Sequence, residues 1–222
     1  VLEGKHMHPI FALLGKEITL EWRQKHALGS MLLYVLATVF IVFSVLKNIS
    51  PNVWIAVFWI IILFASANAT TRSFYQESGA RQLFYYQLTH SLNFIFSKLV
   101  YNFVILLFIG LLTWLGFSFF SKPIVKDYPL FFLTIVLGCM AFSTIYTFIS
   151  AIANKTPNGS SMMAILSFPL MIPVLLTLLK LSAQACRLIQ DTGYWKDIVI
   201  LLSIDGMLIG AMIFLFPFIW RD

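Results

Sequence analysis

The sequence predicts an all-α integral membrane protein: six transmembrane helices, an amphipathic helix in the interface before them, and one polar bridge between the second and third spans. Three observations carry this. The chain of 222 residues is 60% hydrophobic and only 11% charged, with a mean hydropathy of +0.90. A soluble domain of this size must keep much of its surface polar, so the bilayer is the solvent that fits. Six apolar runs recur, each long enough to cross or nearly cross a bilayer. Only residues 1–28 and Arg72–Lys98 form long polar stretches outside them.

Residues 1–28 are read as a tail plus an interfacial helix, and 29–222 as a single six-span domain. The opening VLEGKHM reads as an expression remnant, with Met7 the expected native start. The first apolar run begins nearly thirty residues in and no small-residue cleavage site follows it, so no signal peptide is expected. Between Pro9 and Leu28, Phe11, Leu14, Ile18 and Trp22 make one apolar stripe, with Lys16 and Arg23 pointing away. That pattern suits a helix lying in the interface with Trp22 at headgroup depth.

The spans follow at about 29–46, 53–71, 99–120, 129–153, 161–181 and 198–220. The first is about 27 Å long at the helical rise. Pro123 breaks the chain between spans three and four, and Asn154–Ser160 (NKTPNGS) between four and five. Tyr194–Trp195 precede span six as an expected interface anchor.

An even number of spans puts both termini on one side. That side holds Lys5, Lys16, Arg23, Lys25, Arg72, Arg81, Lys98, Lys155 and Arg221; the other holds Lys47, Lys122, Lys126, Lys180, Arg187 and Lys196. Basic residues favour the cytoplasm, so both termini are expected there. The net charge of +6 is scattered and forms no run, which argues for anionic headgroups and against nucleic acid.

No catalytic motif is present. The chain lacks GxxxxGK[ST], GxSxG, HExxH and CxxC, so it neither cradles a nucleotide phosphate nor carries a recognisable hydrolytic centre. Cys139 lies inside a run and Cys186 in a loop, so no disulfide is expected. The histidines (His6, His8, His26, His90) lack ligand spacing, and no metal site is expected.

Three features could carry function. The polar bridge has the pattern of a short amphipathic helix, with Arg72, Glu77 and Arg81 among Phe74, Tyr75, Leu83, Phe84 and Tyr86. Gly79 permits a bend or a close approach by another backbone. Such a helix suits a groove on a partner. Lys98, at the mouth of span three, is expected to snorkel to the interface. Pro169 and Pro173, one turn apart, should kink or break span five and make a hinge or gate. Asp205 sits about seven residues into span six, where a carboxylate must face a polar interior, be paired or be protonated. If that span begins later than drawn, Asp205 is interfacial instead. Gly206 and Gly210 follow at GxxxG spacing, which permits close helix packing.

Taken together these residues resemble the CcmB family, haem exporter protein B. This is the permease subunit of the bacterial cytochrome c maturation ABC transporter, a type-2 ABC membrane subunit. The six-span plan with an amphipathic N-terminal helix fits. Glu77-Ser-Gly79 followed by Gln82-Leu83, with Lys98 nineteen residues after the glycine, is similar to the family's loop after span two. A Gly159 turn leads into a span carrying Pro169-Leu170 and Pro173, similar to the family's PLxxP. Arg81-Gln82 stands where the family usually has Leu-Glu, and the prolines usual before the lysine are missing.

The resemblance implies a type-2 ABC transporter fold in the bacterial inner membrane, with Arg72 to Tyr86 of the bridge as a cytoplasmic coupling helix. Arg72, Phe74, Tyr75, Glu77, Gly79, Arg81 and Gln82 would dock on a separate CcmA-like ATPase, which would bind ATP and Mg. It implies a second copy of this chain, CcmC-like and CcmD-like membrane partners, haem handled by the complex, and release of the haem-loaded chaperone CcmE. This chain would bind no cofactor alone and would not itself be an enzyme. The expected outer loops, Lys47–Asn52, Ser121–Tyr128 and Ser182–Asp197, contain no histidine, so this subunit is not expected to ligate haem iron there. Alternative readings are a permease of another type-2 ABC exporter, a stand-alone secondary transporter, or a non-transporting scaffold. A secondary transporter would want paired intramembrane charges, of which the sequence offers only Asp205.

Overall fold

The structure is a computed structural model that describes residues 15, 19, 25–46, 49–75, 91–153, 159–189 and 193–221. Among them are six α-helices: α1 (Lys25–Val45), α2 (Pro51–Tyr75), α3 (Ser91–Phe120), α4 (Tyr128–Ala153), α5 (Gly159–Ala185) and α6 (Tyr194–Arg221). Five of these, α2 to α6, are long and apolar enough to cross a membrane, whereas the apolar part of α1, Gly29–Val45, is shorter.

Local chemistry sets the helix ends. Pro51 opens α2 at a position where its missing N–H costs nothing. Ahead of α4, Asp127 accepts from Leu130 N at 3.2 Å and caps the helix. Past α5, Leu188 N donates to Ala183 O and Arg187 N to Gln184 O, both at 2.9 Å. This is a Schellman closure, with Arg187 at φ 54° in the left-handed position usually given to glycine. The two turns at this end are tied, since Lys126 N and Asp127 N both donate to Ala185 O.

Helix α4 is the central element and packs on α2, α3, α5 and α6. Outside it, α1 packs on α2 and α3, and α6 on α3, α4 and α5. The core begins with an aromatic block. Trp54 stacks on Phe58 and meets Phe117 edge-on, and both Trp54 and Phe58 lean on Phe131. Trp59 donates to Ser182 Oγ at 2.8 Å, a fully buried bond from α2 to α5. Gly138 on α4 is the small residue that admits Trp59, because a Cβ there would come within 2.5 Å of the indole.

Several boundaries differ from the sequence reading. Helix α3 begins at Ser91 rather than Leu99, and α2 runs on through Arg72–Tyr75. Polarity marks where a helix leaves lipid, not where its backbone hydrogen bonds stop. Lys25–Leu28 likewise belong to α1 instead of closing the interfacial helix. Of that interfacial helix only Gly15 and Thr19 are described; both are helical, with Thr19 Oγ1 donating to Gly15 O, and the rest lies outside the described residues. Helix α5 continues unbroken through Pro169 and Pro173. The expected anchors Tyr194 and Trp195 form the first turn of α6, with Trp195 exposed.

Candidate functional site

The helices seal a polar seam into an otherwise apolar bundle. From α3 it takes Asn102, whose Nδ2 donates to Thr147 Oγ1 of α4 at 2.9 Å. Nearby Ser143 Oγ of α4 donates to Leu99 O at 2.9 Å, and Cys139 Sγ to Leu106 O at 3.3 Å. Each of these side chains is buried. A polar group removed from water is stable only when bonded, so these contacts fix how α3 sits on α4.

Lys98 lies on the same helix and is 1% exposed. The expectation that it snorkels to the interface is overturned. Because α3 starts two turns earlier, Lys98 is inside the helix and packed, not at its mouth. Its ammonium lies 5.9 Å from the Phe94 ring, a distance at which a cation is attracted by the ring face. Phe94 in turn stacks on Phe216 of α6.

Asp205 is the twelfth residue of α6, well inside the helix, and 1% exposed. Helix α6 starts before the apolar run drawn from the sequence, so Asp205 lies deeper in the helix than the run alone suggests. Thr144 of α4 is the polar side chain that faces it. Yet the Thr144 hydroxyl is committed to Met140 O at 2.9 Å, and both Asp205 oxygens lack a hydrogen-bond partner. At the N-terminal end of α6, Asp197 is matched instead. It accepts from Lys180 Nζ at 3.1 Å and from Gln184 Nε2 at 3.3 Å, tying α5 to α6, and its charge suits a helix N-terminus.

Within this chain the GxxxG pair makes no close packing. A Cβ at Gly206 or Gly210 would meet nothing within 4 Å, so that face packs on no described residue. The tightest approach at a described glycine is at Gly138. Nothing in the spacing around Gly138 marks it. Its only sequence signal is a glycine inside an apolar run.

Beside the seam, a cleft of about 420 Å³ lies between α2, α4 and α5. Leu63, Ala67, Tyr146, Met163 and Met171 line it, with Asn68 and Ser167 as polar exceptions. Its α5 wall is the stretch that holds Pro169 and Pro173, but both prolines are exposed and face elsewhere.

Of the expected coupling residues, Arg72, Phe74 and Tyr75 extend α2 as helix. Glu77, Gly79, Arg81 and Gln82 lie outside the described residues. Cys186, in the turn after α5, is buried, and burial pushes its thiol up to about 11 against the opposing pull of Lys126. Among the described residues, no three His, Cys, Asp or Glu gather as metal ligands.

Long apolar helices around one central helix, with polar groups bonded inside, are those of a polytopic membrane protein. A family model described as CcmB protein matches residues 8–220, and the chain belongs to the CcmB family. It is thereby a haem-exporter membrane subunit of cytochrome c maturation. Neither a curated protein nor a solved structure matches it.

Proposed function

We propose that this chain is the permease subunit of an ATP-driven complex in the bacterial inner membrane. In this reading it has six spans, with both termini cytoplasmic, and works as half of a permease pair with a second copy of itself. A separate CcmA-like ATPase docks on the segment from Arg72 to Tyr86. CcmC-like and CcmD-like neighbours complete the assembly, which handles haem and releases the loaded CcmE chaperone.

The observation that carries the coupling is the continuity of α2. Its helix runs from Pro51 past the end of the apolar run into Arg72–Tyr75. A helix is stiff along its axis, so a push on that polar end is delivered to the aromatic block and the Trp59–Ser182 bond. Closure of the ATPases on ATP would supply the push. The iron would be held by a neighbour, since no expected outer loop of this chain carries a histidine.

Glu77→Lys and Gly79→Leu, introduced together, test this. Co-purification of the ATPase should fall at least ~10-fold, about 1.4 kcal/mol of docking energy, with helix content and membrane insertion unchanged. Undiminished co-purification would rule the segment out as the docking element.

A further inference from the structure

Asp205 and Thr144 occupy one layer of a parallel contact between α6 and α4. One heptad further along, Met212 and Ala151 pack in a shared cluster with Phe94, Ile95 and Phe216, so the two helices stay in register over both layers. Leu201, one turn before Asp205 on α6, is fully buried, and Asp205 itself is 1% exposed. The carboxyl group is therefore removed from water by the protein around it.

Among the described residues no charged or titratable group is hydrogen-bonded to it. On α5, Lys180 is engaged by Asp197. On α3, Lys98 is directed over Phe94. Tyr101, also on α3, has a partner of its own, which is not Asp205 because neither Asp205 oxygen has one. On α4, Tyr146 donates to Leu63 O of α2 and Cys139 to Leu106 O of α3. Among the described residues Thr144 is the polar side chain set against the carboxyl, and its hydrogen is given to Met140 O.

An ionised carboxylate is an acceptor only, whereas the protonated acid has one O–H to donate. Two acceptors facing each other away from water leave a buried charge with no compensation. One added proton completes a chain from Asp205 O–H to Thr144 Oγ1 and from Thr144 O–H to Met140 O.

We infer that Asp205 is a proton-binding site, filled while α6 is packed on α4, and that parting these helices is coupled to release of the proton. The inference rests on the packing of α4 and α6 and is independent of the docking of any ATPase.

The full chain in lipid nanodiscs is the test material, read by infrared spectroscopy. Near neutral pH the wild type should show a protonated-carboxyl carbonyl band that Asp205→Asn lacks. Thr144→Val, which removes the acceptor, should keep that band and shift it to higher frequency. Wild type should also lose heat stability relative to Asp205→Asn as the pH is raised from the ordinary carboxylate range, because the unfolded chain then gives up its proton while the packed state keeps it. Identical carbonyl regions in wild type and Asp205→Asn would overturn the inference. So would a band that Thr144→Val leaves unmoved, a reading that stands even if the asparagine variant fails to fold.

Discussion

Gly138→Ala is expected to destabilise the bundle, although alanine is the better helix former. A Cβ at this position would lie 2.5 and 2.6 Å from two Trp59 ring atoms and 3.1 Å from Leu178 Cδ1. The indole has little room to retreat. It is fully buried, it meets Phe58 and Phe142 edge-on, and its Nε1 is tied to Ser182. Overpacking of this kind costs about 1–3 kcal/mol. Stretching or losing the indole bond adds about 1 kcal/mol. The helix-propensity gain of alanine over glycine returns about 1 kcal/mol. The net expectation is a loss of about 1–3 kcal/mol. Gly206→Ala and Gly210→Ala are the controls, because a Cβ there touches nothing, and they should be neutral or slightly stabilising. The assay is equilibrium unfolding of the purified chain in mild detergent, followed by tryptophan fluorescence. A Gly138→Ala protein as stable as wild type, or controls that lose as much, would refute the assignment of Gly138 as the packing glycine.

Two further outcomes are expected. The Cys186 thiol, raised to about 11 by burial, should react with a maleimide at least ~100-fold more slowly than an exposed cysteine introduced by Lys122→Cys, since only the thiolate attacks; its rate should climb with pH, and Lys126→Ala should slow it further. The isolated subunit should carry no stoichiometric haem with a histidine-type spectrum, and finding one by absorption spectroscopy would place an iron ligand on this chain.

Much of the plan was legible in the residues because apolar length is a direct consequence of bilayer thickness. The runs at 129–153 and 198–220 lie within or against α4 and α6, and the interruptions at Pro123 and at NKTPNGS fall between helices. Misjudged ends share one cause. Ser91–Ser97 and Arg72–Tyr75 are too polar to be counted in a span, yet nothing in them stops the backbone ladder, so α3 and α2 run through them. Lys98 was placed at a mouth for the same reason and is buried instead.

The sites were less legible, because a linear pattern states spacing and not facing. Gly206 and Gly210 have the spacing of a packing motif and an open face, while Gly138 has no motif and a tryptophan against it. The proline pair was visible, but the α-helix is not broken by either.

By itself, the sequence determined that this is an apolar helical protein of the CcmB type, because hydropathy, span length and short motifs are properties of the chain read one residue at a time. Only the tertiary structure decided that Asp205 faces Thr144 without a donor, that Lys98 is inside, and that Trp59 rests on Gly138. Those facts depend on how helices are rotated about their axes, and that rotation is set by contacts between residues far apart in the chain.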